Sequence, residues 1–202
     1  MKERAIQKLT EFFSKFPTVG SRTALRFSYY ILKLSNQELK ELISTIIEAR
    51  KNVKFCSFCF KSFEGTSSLC EICSSVKMKN ILCIIEKESD LIAINQTKKY
   101  PGLFFILGGT LSPLKKESLK KIRIKELMAR IKEPQKYGFN SFQEIIIATN
   151  FTAEGENTAL YLERILKEFK IKITRLARGL SKGGELEYVD EETISSALKN
   201  RN

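Results

Sequence analysis

Apolar positions recur at helical spacing through the first quarter of the chain and give way to short runs after residue 80. Ile6, Leu9, Phe12 and Phe13 lie three to four apart, as do Leu39, Leu42, Ile43, Ile46 and Ile47, so each set predicts one stripe along a helix. Between them, Phe16-Pro-Thr-Val-Gly-Ser-Arg-Thr-Ala reads as a turn opening a helix that runs toward Leu34. Ser35 or Asn36 can cap the next helix, with Glu38 in its first turn. From residue 80, Ile81–Glu86, Leu103–Leu107, Glu144–Thr149 and Ile171–Thr174 have the length and β-branched character of buried strands. Helical stretches over Ser89–Asn95, Ser118–Ile131 and Glu156–Phe169 alternate with them, the second carrying Ile124, Leu127, Met128 and Ile131 at i, i+3, i+4 and i+7. Alternation of this kind predicts a parallel sheet with helices on both faces. The fold class expected is α+β and multidomain, a helical block followed by an α/β block.

The join between the blocks carries four of the five cysteines. Cys56-Ser-Phe-Cys59 and Cys70-Glu-Ile-Cys73 are two C-x2-C pairs separated by ten residues, and the chain has no histidine. Each pair can set two thiolates on one tight turn, and two such turns complete a tetrahedral sulfur shell for Zn²⁺. Two disulfides, or redox-active pairs, are the alternatives. A reducing compartment disfavours the first, and a redox dithiol needs one pair, not two close together. Four protein ligands leave no open position, so one structural zinc per chain is expected. Cys83, inside Ile81-Leu-Cys-Ile-Ile, reads as a small buried hydrophobe.

Charge narrows the class of partner. The net charge is +12, and residues 1–55 hold 11 basic side chains against 5 acidic ones. A positive field of this size favours a polyanion, nucleic acid first, over a merely solvated lysine-rich surface. Residues 115–133, with 8 basic and 3 acidic side chains, read first as an amphipathic helix with a solvated face and only then as a phosphate track. Apolar runs such as Ile81–Ile85 are too short to cross a bilayer, and Lys2, Glu3 and Arg4 do not begin a signal sequence, so a cytoplasmic location is expected.

Three segments carry candidate chemistry. In Pro17-Thr-Val-Gly20-Ser-Arg22-Thr-Ala-Leu-Arg26, a glycine-containing hairpin leads into a helix whose first amides can meet a phosphate, and Arg22 and Arg26 fall on one face. The bland alternative is a helical hairpin with surface arginines. Ala148-Thr-Asn-Phe-Thr-Ala-Glu-Gly-Glu156 follows a predicted strand, at the end of the sheet where open α/β folds bind ligands. Glu86 ends another strand, with Asp90 four residues on; carboxylates gathered there would suit Mg²⁺ and phosphoryl chemistry.

These segments, with Leu107-Gly-Gly-Thr-Leu-Ser-Pro-Leu114 and Thr174-Arg-Leu-Ala-Arg-Gly-Leu-Ser-Lys-Gly-Gly-Glu-Leu-Glu-Tyr188, occur in an order that resembles the bacterial recombination mediator family RecR over essentially the whole chain. The resemblance implies a helix-hairpin-helix DNA-binding domain over residues 1–54, a four-cysteine zinc finger over 55–78, a Toprim domain over 79–175 and a C-terminal assembly segment over 176–202. It implies a homo-oligomer, built from dimers into a ring around DNA. It also implies RecO and RecF as partners in loading RecA onto single-stranded DNA during gap repair, within the bacterial nucleoid. Gly20, Arg22 and Arg26 correspond to the DNA-contacting hairpin. Glu86, Asp90, Glu154 and Glu156 are what remains of the Toprim acidic site or form a docking patch for RecO. Arg175, Arg178 and Lys182 serve assembly or bind phosphate. Thr18 replaces the first glycine of the family's usual Pro-Gly-x-Gly hairpin, which implies a strained turn or a displaced amide donor.

The same comparison argues against catalysis. Toprim enzymes carry Asp-x-Asp where this chain has Asn150-Phe-Thr152, and an amide with a hydroxyl brings no charge to hold Mg²⁺. No catalytic residue is expected. The alternative is a metal-dependent nuclease or primase-like Toprim enzyme using Glu86, Glu154 and Glu156.

Overall fold

The computed structural model describes residues 4–112, 119, 122–180, 183 and 185–199. They divide into two compact units, one ending at Lys54 and the other beginning at Phe55.

The first unit is helical: α1 (Arg4–Phe13), α2 (Ser21–Lys33) and α3 (Asn36–Asn52). Ala24 and Ser28, one turn apart and small, let α1 approach α2 closely, and the Thr10 and Ser28 hydroxyls meet at 2.9 Å. Phe13 packs edge-on against Phe27, centroids 5.6 Å apart. Of the two expected caps for α3, Ser35 takes the role: its hydroxyl accepts from Glu38 N at 3.2 Å while the Glu38 carboxylate accepts from Ser35 N at 2.8 Å. The apolar stripe of α3, with Leu42, Ile43, Ile46 and Ile47, is left exposed.

The second unit begins within β1 (Val53–Phe55), which with β2 (Ser62–Glu64) makes a two-stranded ribbon around the first cysteine pair. The second pair opens α4 (Glu71–Ser75). The α/β body follows as β3 (Ile81–Ile85), α5 (Glu88–Gln96), β4 (Leu103–Ile106), α6 (Ile124–Lys132), β5 (Glu144–Ala148), α7 (Ala153–Leu166), β6 (Lys172–Arg175) and α8 (Glu191–Lys199). The four later strands are all parallel, in the order β4-β3-β5-β6. Residue alternation sends Leu82, Ile84, Leu103, Phe105, Ile145 and Ile147 to one face, where α6 and α7 cover them, and Cys83, Ile85, Phe104 and Ile106 to the other, under Leu91 of α5. The winding reverses between β3 and β5, so the crevice that open α/β sheets use for ligands lies beyond the carboxyl ends of those two strands.

Three predicted elements are displaced. β6 begins one residue later than expected. The helix expected over Glu156–Phe169 begins at Ala153, because the Thr152 hydroxyl caps it by accepting from Gly155 N at 3.1 Å, and it turns to a 3₁₀ helix over Lys167–Phe169. The helix expected over Ser118–Ile131 is interrupted at Arg123, which leaves helical geometry and donates its amide to Leu107 O at 2.9 Å. Residues 118, 120 and 121 of that stretch, and 113–114 of the Leu107–Leu114 motif, lie outside the described residues.

Candidate metal centre and nucleic-acid interface

The four cysteines of the two C-x2-C pairs are buried, none is disulfide-bonded, and their sulfur atoms lie within 4.8 Å of one another. Cys59 and Cys70 sulfurs are 3.6 Å apart, close to the ~3.8 Å that a tetrahedron with metal–sulfur bonds of about 2.3 Å requires. Backbone amides donate into the cluster, Lys61 N to Cys59 Sγ at 3.4 Å and Cys70 N to Cys56 Sγ at 3.3 Å, which favours thiolate over thiol. Among the described residues this is the one group of cysteine, aspartate or glutamate side chains gathered tightly enough to hold a metal ion.

The knuckle is not a free-standing module. Phe58, between its two cysteines, is fully buried against Phe139 (4.6 Å) and Tyr137 (5.6 Å), and the Cys59 carbonyl accepts from Ile106 N at 3.1 Å. Phe60 adopts φ +65°, and its ring lies 4.6 Å from each of the Arg123 and Arg130 guanidiniums. Arg130 also donates to the carbonyls of Ser57 (2.8 Å) and Phe58 (3.3 Å), tying the first cysteine turn to α6. Cys83 sits apart on β3, and burial pushes its thiol up to about 12, keeping it protonated and inert at neutral pH.

In the first unit, Gly20 is the N-cap of α2 and offers no side-chain oxygen, so no side chain caps the first turn. Arg22 and Arg26 are exposed on one face of α2 and, among the described residues, have no ion-pair partner. Thr18 takes φ +65°, the left-handed region that a glycine occupies freely, at a cost of roughly 1–2 kcal/mol for a branched side chain.

The four carboxylates expected at the sheet end do not converge. Glu86 is 2% exposed, and both its oxygens accept from Asn150: Oε1 from the backbone amide at 2.7 Å, Oε2 from Nδ2 at 2.5 Å. Asp90 accepts from Lys87 N at 2.9 Å at the start of α5. Glu154 is exposed and accepts from the Thr110 hydroxyl at 3.3 Å. Glu156 accepts from Arg175 at 2.6 Å, with Arg178 at 3.5 Å. Arg178 also pairs with Glu192 of α8, its backbone carbonyl accepts from the Ser196 hydroxyl at 2.9 Å, and its guanidinium lies 4.9 Å from the Phe151 ring. Lys182 lies outside the described residues.

Comparison with known proteins matches the chain in three stretches. The helix-hairpin-helix family of RecR matches residues 6–50, the Toprim domain family 80–177 and the RecR C-terminal family 179–202. Proteins named recombination protein RecR from two strains of Clostridium perfringens are 41% identical over 198 residues, 98% of this chain and 96% of theirs. One of the same name from Endomicrobium trichonymphae is 44% identical over 199 residues, with the same coverage. The chain belongs to the RecR family. Within that RecR frame α1–α3 are the helix-hairpin-helix part, the parallel sheet is the Toprim part, and the four cysteines lie between the two matches. No described helix is long and apolar enough to cross a membrane.

Sequence reading did not find what holds the RecR Toprim end together. Asn150 reads there as a lost metal ligand, yet it is the partner of Glu86, 64 residues away. Gly155, in the acidic run, was the available signal: it sits so close to the Asn150 carbonyl and Glu86 Oε1 that a Cβ has no room. Hydrogen bonding from Arg175 holds the Glu156 carboxyl below its ordinary 4.5. A depressed folded-state value stabilises above the unfolded one and is lost as pH falls through it. Glu156→Gln is therefore expected to cost about 1 kcal/mol near pH 7. In urea titrations at stepped pH, the gap to the parent protein closes below 4.5.

Proposed function

We propose that this chain is a non-catalytic DNA-binding mediator of recombinational repair. In this reading it forms a homo-oligomeric clamp, acts with RecO and RecF, and helps load RecA onto single-stranded DNA at gaps. The observation that carries the reading is the pair of exposed arginines, Arg22 and Arg26, beside an α2 start with no side-chain cap, in a unit with 11 basic and 5 acidic residues through position 55. Phosphate oxygens suit both the free amides and the guanidiniums, and such contacts carry no base preference of their own.

The cysteine cluster holds one structural Zn²⁺: four thiolates at tetrahedral spacing match its preferred donors and leave no position for substrate. Bound zinc supplies folding energy and no reaction step. Two observations support a non-enzymatic Toprim part. Asn150 donates to both Glu86 oxygens, and the Thr152 hydroxyl is engaged as the α7 cap, so positions 150 and 152 offer the crevice no carboxylate pair. Exposed Glu154 is the acidic contact offered to a basic partner such as RecO, with Glu86 and Asp90 shaping the loops around it. Assembly draws on the uncovered α3 stripe and on the segment from Arg175 onward, which carries Arg175, Arg178 and Lys182. The domain limits are 1–54, 55–78, 79–175 and 176–202, and the location is the bacterial cytoplasm, at the nucleoid.

The test is the salt dependence of DNA binding by fluorescence anisotropy. Arg22→Ala with Arg26→Ala should flatten log K against log[salt] by roughly 1 to 2 units, at 0.7–0.9 per phosphate, with helix content unchanged. An unchanged slope and affinity would remove α2 from the interface. Cleavage or extension of nicked or gapped DNA in Mg²⁺ or Mn²⁺, abolished by Glu86→Gln, would restore the enzymatic reading.

A further inference from the structure

The arginines of α2 do not stand alone on their face. At about 100° per residue, Arg22, Arg26, Tyr30 and Lys33 fall within roughly 80° of one another around the helix, opposite the buried Ala24 and Ser28. Tyr30 is 64% exposed and Phe27, beside it, 40%. Thr23, Arg26, Phe27, Tyr29, Tyr30 and Lys33 line a groove of about 680 Å³ along this side of α2. Among the described residues the Tyr30 ring has no aromatic, cationic or hydrogen-bonding partner, so nothing within its own unit explains why it projects into water.

We propose that Tyr30, flanked by Phe27, is a stacking platform for an unpaired base, so that α2 holds single-stranded nucleic acid through bases as well as phosphates. The proposal deepens the reading of α2 as the nucleic-acid face and rests on it. Charge complementarity selects the occupant. Arg26 lies a turn before the ring and Lys33 a turn after it, so cations track a backbone on either side while the ring offers its face to what the backbone carries. A duplex presents phosphates with its base faces already stacked on one another, and an apolar protein segment would leave the cations unmatched. A single strand satisfies both, and stacking on an exposed aromatic is worth ~1–3 kcal/mol per base whatever the sequence.

Anisotropy titrations of the full chain with labelled oligothymidine, and with an abasic strand of equal length, separate the two contributions. The parent should bind oligothymidine about 5-fold or more tighter than the abasic strand, following from that stacking energy. Tyr30→Ala should remove most of that preference without weakening abasic binding, and Tyr30→Phe should keep it. Arg22→Ala with Arg26→Ala should weaken both strands alike. Equal parent binding to the two strands, or an equal loss on both with Tyr30→Ala, would overturn the platform while the arginine result still tests the phosphate contacts. No effect of the arginine pair on either strand would fell the α2 reading itself. If Tyr30→Ala changes the sedimenting mass but not the preference, the ring is a contact between copies and the proposal fails.

Discussion

Removal of the metal is expected to unfold the whole residue 55–202 unit and not the knuckle alone. The reason is Phe58, whose ring is buried against Tyr137, Phe139 and Phe142 and whose position is set by a cysteine on either side. Without metal, four thiol groups must share a dry pocket, and the turn carrying Phe58 loses what fixes it. Structural zinc supplies on the order of 10 kcal/mol to small domains at neutral pH, as much as the entire stability of many folds. The folded protein should contain about one zinc per chain. Cys59→Ser, or chelation, should abolish the cooperative urea transition of this unit, followed by near-ultraviolet circular dichroism of its Phe and Tyr side chains, since the chain has no tryptophan. A metal-free, reduced protein that unfolds at the parent's midpoint would contradict the assignment.

Gly155→Ala should be the most damaging conservative change at the sheet end. The new Cβ would overlap the Asn150 carbonyl oxygen and come within 2.9 Å of Glu86 Oε1. Backbone, not a flexible side chain, has to move, which in a packed site costs about 1–3 kcal/mol. Displacing Asn150 also takes both donors from a carboxylate that is 2% exposed, and leaving a buried acceptor unsatisfied costs a further ~1–3 kcal/mol. The expected loss is therefore roughly 2–6 kcal/mol by urea unfolding. Adding Glu86→Gln should lessen it, because the neutral amide forfeits less on losing its partners. A loss below about 0.5 kcal/mol, typical of surface changes, would mean that the start of α7 yields freely.

What the sequence made legible was local. The strand positions follow from runs of apolar residues, and Ser35 with Glu38 announces the start of α3 because both halves of the capping box lie within four positions. The cysteine spacing announces the metal cluster for the same reason. What stayed hidden depends on distant residues meeting. The start of α7 moved because Thr152 caps a turn that reads equally well as loop, and Arg123 breaks a continuous helical pattern only because Leu107, sixteen residues earlier, offers a carbonyl. The cationic clasp on Phe60 joins side chains more than sixty residues apart, and no local pattern pairs them. Nor does an amphipathic pattern reveal whether its apolar stripe is covered: α3 carries such a stripe, yet Ile46 and Ile47 are exposed.

The Glu86–Asn150 pair bears on what a carboxylate at the sheet end would meet. Placing aspartates at positions 150 and 152 would not by itself make a cation site. At 150 an acid would confront the buried Glu86 carboxylate across the space where the amide now donates, setting two like charges side by side. At 152 it would still have the α7 amides to satisfy. The change at 150 would therefore weaken the fold, while an aspartate at 152 would be drawn to the helix start as its cap.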